Sequence, residues 1–452
     1  MGRLRIFAVL SLAWYACDWA LPGALFAHGE LFGVPEARGD GVSGDHGAPL
    51  RRLLRKGGVF AKVAPGIHAL LPVGRKIVAR LERVLRVEMA RLHTHELELP
   101  ILQPERLIRS REAEFGRDLY KLKDRQDRVL HLSPTCEELA CLVACNALSP
   151  LSRTRLPLRV FQIRSKFRDE LRPCDATMRC REFTMKDAYS FHADEQSSEA
   201  AYEEFREGYK RILQKLRIAH TIRREDRGDC FDEEFDAELP ATGDSSKLEI
   251  AHIFKLGTAL CEEAGLSYEV EGRRKKPVHL NSYGIGIQRL LYAAAAQHSD
   301  ADGLKLPQIM APYDVAVVPC DTDSAEVAQL AHDLHVSLSK AGLDTLLDNR
   351  DLPLKQRTAD LRAIGVPHVV YVSESTQVGG TREPSGAVAE AIRQESRTSN
   401  EYHLGQSESA LLARSWPNVD TSRLDKPVRY VHRAFEGDFV LPAARLLELL
   451  CA

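Results

Sequence analysis

The strongest constraint in the chain is a charged hairpin. Residues 160–170, VFQIRSKFRDE, and 179–191, RCREFTMKDAYSF, are runs of strand character separated by a turn-rich tip, LRPCDAT. Side chains alternate across a strand, so Phe161, Ile163 and Phe167 face one way and Gln162, Arg164, Lys166, Arg168 and Glu170 the other. On the return strand Arg179, Arg181 and Phe183 share a face. The hairpin therefore has a core side and a side that mixes guanidinium groups, a carboxylate and an aromatic ring. Exposed ion pairs contribute only about 0–1 kcal/mol each, so stability is a poor reason for such a face. Arginine forks bind phosphate oxygens in pairs, a ring stacks on a base, and a carboxylate accepts from an exocyclic amine. Two readings are open on this stretch alone: a solvated, salt-laced edge, or a surface that holds a nucleotide polyphosphate.

A second stretch, VHLNSYGIGIQRLLYAAAAQ at 278–297, favours the nucleotide. It reads as an apolar strand, a turn at Gly284 and Gly286, and an alanine-rich helix with Arg289 near its start. It is not a dinucleotide fingerprint, because Arg289 stands where the third glycine belongs, and no Gly-Lys-Ser/Thr follows to make a P-loop. Glycines leave room for a flat ring against backbone. An arginine at a helix N-terminus meets phosphate where the dipole also favours anions.

The bulk properties exclude little. A chain of 452 residues has room for two or three domains, and its 44% hydrophobic and 28% charged residues suit a soluble globular protein. The 62 Lys plus Arg nearly cancel the 64 Asp plus Glu, so no global basic footprint announces a nucleic-acid partner. The ten cysteines form no C-x-x-C pair. Cys141 and Cys145, four apart on a helix, lack metal-ligating partners and read as buried apolar thiols.

The chain starts with a basic MGRLR and the apolar run IFAVLSLAWYAC, interrupted by Asp18 and Pro22. This has the pattern of a targeting leader, with a mis-assigned start as the alternative, and 30–46 reads as a linker. Residues 73–92 place Ile77, Leu81, Val84, Leu85 and Leu92 on one helical stripe, with Arg80, Arg83 and Arg91 mostly outside it. ELELPIL at 96–102 reads as a strand that Pro100 confines to an edge. From Pro307 onward the pattern is strand, helix, strand, helix, strand, a compact unit with a partly parallel sheet. Residues 375–425 read as a long polar loop, before a last strand and helix.

Taken with the helix–strand–Pro100 segment, the two charged stretches resemble the three signature motifs of class II aminoacyl-tRNA synthetases. APGIHALLPVGRKI, LSPTCEEL, FRDELRP…MRCREFTMKDAYSF, LEIAHIFKLG and NSYGIGIQR resemble the prolyl-tRNA synthetases of the bacterial and organellar type, over about residues 50–372. The resemblance implies an α/β chain: an α+β catalytic domain, built on a class II antiparallel sheet with flanking helices, over 47–306. A C-terminal α/β anticodon-binding domain would follow over 307–452, with an insertion at about 375–425, and a leader and linker would occupy 1–46. It implies proline activation by ATP to prolyl-adenylate and transfer to tRNA(Pro), with Mg2+ as cofactor and a homodimer as the assembly.

Residue by residue, the resemblance puts Arg168 on the α-phosphate and the prolyl carboxyl, and Arg179 and Arg289 on the outer phosphates. Glu170 accepts from the adenine amine, Phe183 stacks on the base, and Gly284 and Gly286 leave it space. Thr135, Glu137, His252 and Ser282 belong to proline, although His252 taken alone would more often be structural. Glu249 is the candidate magnesium ligand, against a plain strand carboxylate. Only about ninety residues separate Phe191 from Asn281, too few for an editing insertion, so hydrolysis of mischarged alanyl-tRNA is not expected. The tip CDAT, Cys136, Asn281, Ser282 and Asp348-Asn349-Arg350 depart from the family's usual residues. The altered tip supports an alternative, a paralogue that has lost charging and serves as an RNA-binding accessory. The leader implies an organelle, plastid-type by a secretory-like route or a mitochondrion, with no stable membrane association after its removal.

Overall fold

The structure is a computed structural model that describes residues 48–451 except 109–115, 149–150, 153–154, 174–178, 228–229, 240–246, 271–273, 375–383, 402–425 and 434–437. The leader expected over 1–46, the CDAT tip and both ends of the 375–425 segment lie outside the described residues. The chain divides into two compact units between Pro312 and Tyr313. Among the described residues no helix is long and apolar enough to cross a membrane.

The first unit runs α1 (Pro72–Arg91), β1 (His95–Glu96), α2 (Glu137–Leu148), β2 (Leu158–Phe167) and β3 (Glu182–His192). It continues with α3 (Glu195–Lys215), β4 (His220–Arg227), β5 (Cys230–Glu238), β6 (Lys247–Gly257), α4 (Ala259–Glu263), β7 (His279–Gly286) and α5 (Ile287–His298). Its seven-stranded sheet has the order β4-β5-β6-β7-β3-β2-β1, antiparallel except for the β1–β2 edge pair. The hairpin expected from the alternating pattern is β2–β3, paired from Leu158↔Phe191 to Phe167↔Glu182.

One face of the sheet is covered by α1, α3 and α5. The predicted stripe of α1 is buried, and Pro72 opens the helix, where a missing N–H costs nothing. Asp194 caps α3 by accepting from the Ser197 amide at 2.9 Å. Phe205 of α3 stacks on Tyr283 of β7 with centroids 3.7 Å apart. Ala293, Ala294 and Ala295 are fully buried in α5, where small side chains let the helix lie close. Arg80 corrects the expected pattern, for it is buried. Its Nη1 donates to the Gln308 carbonyl at 3.1 Å, so its stem lies among apolar groups while its head finds an acceptor.

The expected strand over 96–102 is also corrected. Leu97 still donates to the Phe161 carbonyl at 2.8 Å, but Leu99 donates to the side-chain oxygen of Gln162 at 3.0 Å. The Gln162 side chain takes the amide that a neighbouring strand would have paired, and Pro100 has no N–H to resume the ladder, so β1 is limited to His95–Glu96.

Lys186 of β3 is fully buried on the helix face, its ammonium near the Tyr209 ring, Tyr209 Oη at 2.5 Å and the Tyr283 carbonyl at 3.1 Å. Burial lowers its pKa from 10.5 to about 7, against the opposing charge of Asp187. The unfolded chain then binds this proton more readily than the folded one above pH 7, so folding gains stability as pH rises from 7 toward 10.5. Denaturant titrations between pH 7 and 8.5 should show the parent chain gaining up to about 1.4 kcal/mol per pH unit relative to Lys186→Met. Parallel pH profiles for the two proteins would contradict a neutral buried amine.

The second unit runs β8 (Val315–Pro319), α6 (Ala325–Lys340), β9 (Thr345–Leu347), α7 (Leu354–Ile364), β10 (His368–Val372), α8 (Gly386–Glu401), β11 (Pro427–His432), β12 (Asp438–Pro442) and α9 (Ala443–Leu450). The sheet order is β9-β8-β10-β11-β12; the first three strands are parallel and the last two antiparallel. Ser324 caps α6, and Gly365, at φ +83°, ends α7 in the left-handed conformation that only glycine adopts cheaply. Helix α8 corrects the long loop expected over 375–425. Ala389 and Ile392 join the unit's core, but the next inward positions are Glu395, Ser396 and Ser399, so the apolar period fades halfway along.

Candidate active site

A cavity of about 790 Å³ lies on the sheet face opposite α3. Strand alternation builds it. Phe183, Met185 and Asp187 of β3 line the cavity, while Lys186 between them meets α3; Ser282, Gly284 and Gly286 of β7 line it, while Tyr283 stacks on Phe205. Every residue assigned from sequence to ATP, proline or metal lines this one cavity. Arg168 and Glu170 follow the end of β2, Arg179 precedes β3, Thr135 and Glu137 open α2, Glu249 and His252 lie on β6, and Arg289 sits in the first turn of α5.

The hairpin arginine and the helix arginine converge electrically. Burial lowers the pKa of Arg168, the neighbouring Arg289 guanidinium lowers it further, and Glu249, Glu137 and Asp118 oppose the shift. The guanidinium carbon of Arg168 stands 5.4 Å from the centre of the Phe183 ring, and its Nε is buried without a hydrogen-bond partner. An unsatisfied buried donor costs about 1–3 kcal/mol, more when charged. Such a group makes sense where an anion accepts from it.

Another part of the cavity lining suits an ammonium. Glu137 accepts from Thr135 Oγ1 at 2.5 Å through Oε2 and from Ser282 Oγ at 2.9 Å through Oε1. The carboxylate is buried and aimed by two hydroxyls, an arrangement that suits a cationic group in the cavity. The 135–137 loop is itself anchored, because the Cys136 amide donates to Tyr189 Oη at 3.2 Å and Tyr189 donates to Asp187 Oδ2 at 2.6 Å. Asp187 also accepts from Lys166 Nζ at 2.7 Å and Gln162 Nε2 at 2.8 Å. Strand period could place Lys166 and Gln162 on this face, but not tell that they serve a buried carboxylate on the partner strand.

Glu249 and His252 share the cavity because of a β-bulge. Phe235 of β5 pairs with Ala251 and Asp236 with Glu249, leaving Ile250 as the extra residue. The bulge re-aims the strand so that positions three apart face the same way. His252 Nδ1 then meets Glu249 Oε1 at 3.1 Å, and Arg289 Nη1 donates to Glu249 Oε2 at 3.0 Å and to the Glu249 carbonyl at 2.9 Å. Burial alone would raise the Glu249 carboxyl, but the His252 hydrogen bond and the Arg289 charge prevail and bring it down to about 2. Its side chain keeps 40% exposure at the cavity wall, so solvent screens part of that pull.

The two glycines are not a turn, as expected, but the last residues of β7, with Gly286 entering α5 directly at φ −83°. A Cβ at Gly284 would meet nothing closer than 3.8 Å, whereas one at Gly286 would press on the Arg289 stem at 3.3 Å. Gly286 therefore makes room for the arginine. Gln288 was not singled out from sequence, yet its Oε1 accepts from the Thr184 amide at 2.9 Å and fastens the start of α5 to β3.

The donor set suits a hard divalent ion held jointly with phosphate. Among the described residues no three His, Cys, Asp or Glu side chains cluster to hold a metal alone. One ionised carboxylate beside substrate phosphates is a donor set that Mg2+ accepts.

The tRNA synthetase class II core domain (G, H, P, S and T) matches residues 120–298, and the anticodon binding domain matches 314–382. The chain is 31% identical to a proline–tRNA ligase of Methylobacterium nodulans, covering 74% of this chain and 89% of that one. It is 30% identical to a proline–tRNA ligase of Rhizorhabdus wittichii, covering 71% and 87%. Its fold matches Giardia lamblia prolyl-tRNA synthetase solved with prolyl-adenylate, at a TM-score of 0.70 and 18% identity over 90% of this chain and 76% of that one. With identity sustained across almost the whole length of those ligases, and with every motif residue gathered in one cavity, the chain belongs to the prolyl-tRNA synthetase family.

Proposed function

We propose that this protein is an ATP-dependent proline–tRNA ligase. One observation carries the reading: the phosphate-seeking Arg168 and Arg289 and the ammonium-seeking Glu137 line the same cavity. Proline enters with its ring ammonium donating to Glu137, which Thr135 and Ser282 hold in position. Arg168 binds the prolyl carboxylate and the α-phosphate together and faces the charge that grows as one attacks the other. Arg179 and Arg289 hold the outer phosphates, Phe183 stacks on adenine and Glu170 accepts from its amine.

The carboxylate oxygen displaces pyrophosphate and gives prolyl-adenylate. The terminal ribose hydroxyl of tRNA(Pro) then attacks the carbonyl, and AMP leaves. No protein nucleophile is needed, because orientation and fixed charge do the work. Glu249 would hold Mg2+, which supplies charge neutralisation at the phosphates when bound.

Exchange of labelled pyrophosphate into ATP should depend on proline and not on the other amino acids. Exchange that ignores proline would sink the reading. A homodimer is proposed from the first motif, and a monomer in solution scattering would remove it. The basic start and apolar run at 1–17 support delivery to a plastid, with the mitochondrion second. A reporter carrying residues 1–46 that stays in the cytosol would remove that proposal.

A further inference from the structure

We propose that Asp232 is a positioning residue for adenylate formation: it clamps His252, and His252 clamps Glu249 beside Arg289. This rests on the reading above and adds a residue to it. Asp232 lies on β5, one strand away from His252. Its Oδ2 is 3.0 Å from His252 Nε2, while Glu249 Oε1 is 3.1 Å from Nδ1. The imidazole is thus held by a carboxylate at each ring nitrogen. Its face is held as well, for the Phe254 ring stacks on it at 3.8 Å and 23°, and Phe254 is the register partner of Asp232. The ring cannot turn without breaking one of these contacts.

Asp232 is only 4% exposed, and among the described residues it does not line the cavity. A buried carboxylate is costly unless it is paired, and this one spends an oxygen on His252. It stands behind the wall, in contact with His252, which does line the cavity. The β6 bulge at Ile250 explains why such a prop is needed. A bulged strand loses a ladder pair at that point, so Glu249 depends on side-chain contacts, His252 and Arg289, for its direction. Holding the ring from behind fixes the carboxylate that faces the phosphates.

The test is a double-mutant cycle of Asp232→Leu with His252→Ala in the full chain, read by proline-dependent exchange and by calorimetric affinity for Mg2+-ATP without proline. Asp232→Ser, too short to reach the ring, replaces the leucine variant if that one does not fold. Outer partners of this kind typically cost 10–100-fold when removed. His252 was grouped with proline from sequence, but its contacts are with Glu249 and Asp232, so Asp232→Leu should weaken ATP affinity and kcat/KM for ATP by about ten-fold or more and change KM for proline clearly less. Asp232→Asn, which keeps an acceptor, should recover most of the loss. In the His252→Ala background the leucine change should cost less than about two-fold further, because coupled residues are not additive. Losses that multiply across the two backgrounds, or that fall equally on proline and ATP, would overturn the proposal. A parent chain without proline-dependent exchange would instead sink the function, so the two failures are distinct.

Discussion

Arg168→Ala should lower proline-dependent exchange by roughly 10²–10³ or more, the loss seen when one preorganised donor to developing charge is removed. The effect should fall on the rate more than on KM for either substrate, since Arg168 serves the charge that appears as the carboxylate attacks. Arg168→Lys should recover only a small part, because an ammonium cannot present the fork that spans a carboxylate and a phosphate at once. The same replacement should leave the melting temperature unchanged or raise it. Arg168 carries a buried Nε with no partner and sits against the Arg289 charge, so its removal takes a cost away from the folded state. Activity and stability moving in opposite directions would mark the residue as one kept for chemistry; a near-normal exchange rate would refute its role.

Glu137→Ala should raise KM for proline by about a hundred-fold or more, as when one partner of a buried charged pair is truncated, at a cost of about 2–5 kcal/mol. ATP affinity in the absence of proline should stay within about three-fold, because Glu137 is proposed to serve the proline ammonium and not the phosphates. Glu137→Gln should fall between the two, since it keeps an acceptor for the ammonium but loses the charge that strengthens the bond. Steady-state kinetics with each substrate varied in turn separates these outcomes. An equal loss on the ATP side would show that Glu137 supports the cavity as a whole and not the amino acid.

The residues that line the cavity could be picked out because they stand in short local patterns of charge and glycine: an arginine and a glutamate two apart after a strand, and an arginine one turn into a helix behind two glycines. What joins those patterns was not legible. Asp187 looks like any polar residue of a strand in FTMKDAY, yet it anchors Tyr189, and Tyr189 anchors the loop of Glu137. Nothing local in DEEF distinguishes Asp232 from Glu233, although one backs His252 and the other pairs with Arg206 on the helix face. The reason is register. A single extra residue at Ile250 changes which positions face the cavity, and the pairing partner that creates the bulge lies on another strand.

Element boundaries failed for the same kind of reason. β1 stops short because the Gln162 side chain takes the amide that a neighbouring strand would have paired. Helix α8 was hidden because its second half turns Glu395, Ser396 and Ser399 inward, where a periodic pattern would show apolar residues. Arg80 was placed off the apolar stripe because periodicity cannot foresee the Gln308 carbonyl that receives its head. Each miss is a tertiary contact overriding a local preference.

A crystal structure of the full chain with proline and a non-hydrolysable ATP analogue tests the convergence of the two motifs most directly. The account requires a folded-back triphosphate with the Arg168 fork spanning the prolyl carboxylate and the α-phosphate, Arg289 on an outer phosphate, and the purine over Phe183. Nucleotide bound in any pose that leaves Arg168 and Arg289 without a shared phosphate chain between them would contradict it.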